Sequence, residues 1–80
     1  MTDRYYLEMI LEQLNKNLVY TAYVNINMLI KDTKDKKLEF KLIPIREELI
    51  DLINKKGNTN NYGKELKVIK EDVKDILRRF

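Results

Sequence analysis

The sequence predicts an α+β domain of two layers, ordered α-β-β-α-α, with an antiparallel β-hairpin packed against helices. Three observations lead there. Tyr20, Ala22, Val24, Ile26, Met28 and Ile30 alternate with mostly polar neighbours, as a half-buried strand requires. Leu38, Phe40 and Leu42 repeat the alternation after a charged turn. The flanking segments instead carry apolar residues three and four apart, the period of an amphipathic helix.

The first helix is expected over residues 3–17. Thr2 suits its N-cap and Asp3 the positive end of its dipole. Leu7, Ile10, Leu11 and Leu14 share one face, widened by Tyr6 and Met9. From Leu18 the residue types change. Val19, Tyr20, Thr21, Tyr23, Val24 and Ile26 are β-branched or aromatic, which favours a strand over residues 18–31. A competing reading continues the helix through Leu18, Ala22, Ile26 and Leu29. Against it stand Asn25 and Asn27, poor helix formers in mid-helix.

Lys31 to Lys37 read as the turn and residues 37–43 as the second strand. Pairing Ile30 with Leu38, Met28 with Phe40 and Ile26 with Leu42 puts all six on one face. That register leaves Leu18 to Tyr23 without a partner, and such edges are covered or paired with another chain. Two copies joined there would form a four-stranded sheet in a two-fold homodimer, with Val19, Thr21, Tyr23 and Asn25 at the interface.

Pro44 suits the first position of a helix expected over residues 45–56, with Ile45, Leu49, Leu52 and Ile53 inward. Lys55-Lys56-Gly57 is its stop and Asn58 to Asn61 a connector, with Asn60 or Asn61 capping the next helix. That helix is expected over residues 62–79, on the stripe Leu66, Ile69, Val73, Ile76, Leu77 and Phe80. Asp75 and Arg79 stand at favourable i, i+4 spacing.

Eighty residues make a single domain, small enough that oligomerisation is a common source of extra stability. There is no cysteine, so neither a disulfide framework nor a thiolate metal site. Net charge is +3, which permits nucleic acid as a partner without requiring it. No apolar run is long enough to span a bilayer, and Asp3, Glu8 and Glu12 argue against a signal peptide. A cytoplasmic protein is expected. Its Lys, Ile and Asn usage points to an AT-rich genome, such as that of a low-GC bacterium or of its mobile elements, a phage or plasmid.

The absence of His, Cys and Ser removes the common nucleophile–base pairs. Two glycines, Gly57 and Gly63, build neither a P-loop nor a dinucleotide fingerprint. No catalytic residue, cofactor or metal is therefore expected. Glu39-Phe40-Lys41 resembles the second half of the metal-dependent nuclease pattern, but the acids that should accompany it, Asp32 and Asp35, fall in the turn. Those two, and Glu71, Asp72 and Asp75, read as solvated charge rather than a calcium site. Lys34, Lys36, Lys37 and Lys41, with Lys31, are the candidate phosphate contacts.

Leu38 to Arg79, read as strand, Pro-led helix, Gly turn and amphipathic helix, resembles the ribbon-helix-helix DNA-binding proteins. The resemblance covers about half the chain and rests on element order. It implies a strand paired between two subunits, with Lys37, Glu39 and Lys41 facing the major groove. The tyrosines, Tyr5, Tyr6, Tyr20, Tyr23 and Tyr62, are a further interface signal. The leading expectation is a small regulatory or inhibitory protein acting on an unidentified protein partner. The alternative is a dimeric DNA-binding regulator.

Overall fold

The computed structural model describes residues 2–55 and 62–79. Among them there is no strand. The chain forms four helices: α1 (Asp3–Asn15), α2 (Val19–Asp32), α3 (Lys36–Asn54) and α4 (Tyr62–Leu77). The predicted α+β fold and hairpin are therefore replaced by an all-helical bundle. Its long axis is 37 Å against widths of 21 and 18 Å.

One spacing rule explains the bundle. The buried residues are Leu7, Ile10 and Leu14 in α1, and Val19, Ala22, Ile26 and Leu29 in α2. In α3 they are Leu38, Leu42, Ile45, Leu49 and Leu52, and in α4 Leu66, Ile69, Val73 and Ile76. Within every helix the steps are three and four residues in alternation. That 3.5-residue mean period keeps one seam of each helix facing the same neighbours along its length. The helices form a ring: α1 packs on α2 and α4, and α3 on α2 and α4. Among the described residues no polar or charged side chain is buried.

The three-residue connections after α1 and after α2 turn each helix back against the one before it. The turn after α1 is a Schellman motif. Leu18 N–H donates to the Gln13 carbonyl at 2.9 Å and Asn17 N–H to the Leu14 carbonyl at 3.0 Å. Asn17 takes a positive φ of 62°, which Asn tolerates better than a branched residue. This break ends α1 at Asn15 rather than continuing it into α2. The competing helical reading thus identifies Ala22, Ile26 and Leu29 as inward positions but not the break that precedes them.

At the other end, Asp35 caps α3 by accepting from Lys37 N–H at 3.0 Å and Leu38 N–H at 3.2 Å. Thr33 ties this turn to the start of α1, donating to Asp3 Oδ2 at 2.8 Å. Thr2 caps α1 as its sequence position predicts, accepting from Tyr5 N–H at 3.2 Å. The segment expected as a charged turn thus shrinks to Thr33, Lys34 and Asp35, and the second strand becomes the first two turns of α3. Pro44 lies inside α3 rather than at its start. It offers no N–H to the Phe40 carbonyl, and it is tolerated because both residues face solvent, where water reaches the freed carbonyl. The expected stop and connector at Lys56 to Asn61, and Phe80 at the end of the last stripe, lie outside the described residues. Asp75 pairs with Arg78 rather than with Arg79.

Two substitution pairs test this architecture by chemical denaturation. Strand pairing would bury Ile26 and Met28 alike, whereas the bundle buries Ile26 fully and leaves Met28 44% exposed. Ile26→Ala should cost about 2–4 kcal/mol, and Met28→Ala should stay within about 0.5 kcal/mol. At the Schellman turn, Asn17→Gly should be near neutral, while Asn17→Val should lose about 1–2 kcal/mol to the left-handed backbone.

Candidate functional site

Once the core is assigned, the remaining apolar residues stand out. Tyr20, Val24 and Met28 are 65%, 38% and 44% exposed, although no buried position of α2 needs them. They are four residues apart, so they form one stripe along the outer side of α2. Tyr23, half-buried against the core, edges the stripe, with its ring 6.2 Å from that of Tyr20. Around them lie Thr21, Asn25 and Asn27. From Asn17 to Ile30 the chain carries no charged residue, although 36% of all residues are charged. The outer sides of the other helices carry Arg4, Glu8 and Glu12 on α1, Glu47 and Asp51 on α3, and Lys67 and Glu71 on α4. An uncharged surface bearing Tyr and Met has the composition of the centre of a protein interface.

The interface residues expected from the strand reading are dispersed by the helix. Val19 is buried in the core. Thr21 is exposed, and Tyr23 and Asn25 are half-buried on different sides of α2. Asn25 donates to Gln13 Oε1 of α1 at 2.9 Å. The edge that grouped these four does not exist, because a helix advances by about 100° per residue where a strand alternates. The segment the sequence singled out is nonetheless the one that carries the uncharged stripe. Phe40, 75% exposed on α3, is a further solvent-facing aromatic, and Tyr5 one on α1.

The basic candidates also rearrange. Lys34 is exposed in the α2–α3 turn, and Lys36 pairs with Glu39 at 3.5 Å. Lys37 and Lys41, one turn apart, line a cavity of about 210 Å³ between the start of α3 and the end of α4. Arg79, from the far end of the chain, lines it too, with Asp35 and an apolar floor of Leu38 and Ile76. None of these three cations has an ion-pair partner among the described residues. Arg79 could not be found from sequence, because only the packing of α4 on α3 brings it there. A neighbouring depression of about 190 Å³ runs past Lys41 to Pro44, with Asp72 and Asp75 on its α4 side.

The ribbon implied by the ribbon-helix-helix resemblance is absent, since Leu38 to Ile43 is helical. Glu39 and Lys41 therefore fall on opposite sides of α3, and the nuclease-like pairing of the two dissolves. Among the described residues no group of three or more acidic side chains is placed to hold a metal ion. No helix there is long and apolar enough to cross a membrane. No family model, curated protein or solved structure matches this chain.

One carboxyl between α3 and α4 is shifted in its titration. The Glu48 carboxyl is raised above its ordinary 4.5, first by burial, then by the charges of Asp72 and Asp51. The folded state therefore holds this proton to higher pH than the unfolded chain does. Stability should fall as pH rises from about 4.5 through the raised value, and below about 4.5 the contribution is fully retained. Glu48→Gln should flatten that part of the thermal-midpoint profile and raise the midpoint at neutral pH, read by calorimetry across the window.

Proposed function

We propose that this chain is a small non-enzymatic regulatory or inhibitory protein that works by protein–protein contact through the outer side of α2. The observation that carries this reading is the uncharged stripe of Tyr20, Val24 and Met28, held on a rigid helix in an otherwise heavily charged chain. Leaving three large apolar side chains in water contributes nothing to the fold, and burying them against another protein recovers the transfer free energy. The lack of His, Cys and Ser supports a role without covalent chemistry.

Affinity enrichment from cells of the source tests it, with the wild-type chain and Val24→Lys as paired baits. Wild type should retain at least one protein, its own copies included, that Val24→Lys loses while keeping its helical circular dichroism. Identical sets of proteins on the two baits overturn the reading.

A second reading, contact with nucleic-acid phosphates, is favoured by the meeting of Lys37, Lys41 and Arg79 at one cavity. Such contact would show as anisotropy of a labelled duplex at low salt. Affinity should fall steeply as salt rises, and Lys37→Ala/Lys41→Ala should make the salt dependence shallower by about two counterions. A duplex that stays unbound at low salt removes this reading.

A further inference from the structure

We propose that the cavity between the start of α3 and the end of α4 binds a small phosphomonoester. Its charged lining is Lys37, Lys41 and Arg79 against Asp35, three cations to one acid, which leaves a net charge of +2. A phosphomonoester carries about −1.5 to −2 near pH 7 and matches that balance, whereas a phosphodiester carries a single charge. The Asp35 carboxylate is already engaged, since it accepts from the Lys37 and Leu38 N–H groups as the cap of α3. None of the three cations has an ion-pair partner among the described residues. Each can therefore meet an incoming phosphate without breaking an existing pair.

The cations come from two elements. Lys37 and Lys41 lie one turn apart on α3, and Arg79 reaches in from the turn that follows α4. A ligand in the cavity is thus flanked by positive charge from both helices. Arg79 offers a planar fork for two phosphate oxygens, and each lysine a compact ammonium for the third. Below them, Leu38 and Ile76 form an apolar floor on which the organic part of an ester can pack.

Size and surroundings select a small ligand. At about 210 Å³ the cavity is below the ~300 Å³ at which ordinary ligand pockets begin, so it suits a phosphate with a body of about one ring. The adjoining depression carries Asp75 and Asp72, and Asp72 has no ion-pair partner among the described residues. A chain of phosphates running on past Lys41 would meet like charge there, and a single phosphate group would not. The same three cations carry the nucleic-acid reading; here they hold one terminal phosphate in place of a backbone.

Amide NMR shifts of the full chain, titrated at low salt with phenyl phosphate, test the site. The shifts should saturate and centre on Lys37, Leu38, Ile76 and Arg79. Affinity should be several-fold higher than for inorganic phosphate, which has nothing to pack on the floor. It should be about tenfold higher than for methyl phenyl phosphate, which keeps the ring but carries one charge. Lys41→Ala and Arg79→Ala should each weaken phenyl phosphate by about tenfold. Helical circular dichroism should stay unchanged, because both side chains are exposed. Lys67→Ala, on the outer side of α4, should bind as wild type does. Shifts that do not saturate overturn the site, as does Arg79→Ala binding as tightly as wild type. Phenyl phosphate binding no tighter than the diester, or no tighter than inorganic phosphate, overturns it too. If a variant fails to fold, the ligand series on the wild-type chain decides alone. A duplex that binds while phenyl phosphate does not leaves the nucleic-acid reading standing and removes this one, and the opposite pair of results does the reverse.

Discussion

The alternation of three- and four-residue steps between buried side chains is the constraint on which the rest of this structure depends. Each helix supplies one seam of Leu, Ile, Val or Ala, and no seam is useful alone, because an isolated helix of 13 to 19 residues is marginal in water. Closing four seams into a ring buries all of them at once. The ring also explains why so little polar structure is needed inside. Backbone groups that lack partners are satisfied at the helix ends, by Thr2 and Asp35 at two N-termini and by the Asn17 turn at a C-terminus, and Asn25 adds one side-chain hydrogen bond to Gln13 between α1 and α2. The Thr33–Asp3 hydrogen bond then links the α2–α3 turn to the start of α1.

A bundle of this kind leaves the outer side of each helix free of packing demands. On α1, α3 and α4 that freedom is used mainly for charge, which favours solubility. On α2 it is used for Tyr20, Val24 and Met28. The contrast is one of charge, since exposed apolar residues also occur singly elsewhere, at Tyr5, Phe40 and Val68. Glu48, which feels the charge of Asp72 on α4, and the cavity lined by Lys37, Lys41 and Arg79 both lie where α3 meets α4. Acidic and basic side chains thus alternate along the α3–α4 groove, while the outer stripe of α2 is uncharged.

The residues that make α2 resemble a strand are the same ones that stand exposed along its outer side. Its core requires only Val19, Ala22, Ile26 and Leu29. Tyr20, Val24 and Met28 add apolar side chains at positions the core does not use, and together with Ala22, Ile26 and Ile30 they complete a period of two. Phe40 does the same between Leu38 and Leu42. Where nearly every position is apolar, periods of 2 and 3.5 fit equally well, and the β-branched and aromatic residue types tip the choice towards a strand. Departures from a simple pattern of this sort are expected where a surface serves something other than folding.

The sequence by itself determined several features through local chemistry. The inward faces of α1 and α4, most of that of α3, and the cap at Thr2 are written in short-range spacing and hydrogen-bonding capacity. The lack of His, Cys and Ser, and the uncharged character of residues 17–30, are direct readings as well. Only the tertiary structure decided whether residues 19–32 and 36–43 were strands or helices. Each segment satisfies both periods, and the choice depends on whether its partners present a flat face or a seam. Tertiary structure likewise brought Arg79 to Lys37 and Lys41, separated Val19 from Thr21, and turned Tyr20, Val24 and Met28 outward. Those outcomes rest on which sides of neighbouring helices meet, and that is a property of the packed ring rather than of any one segment.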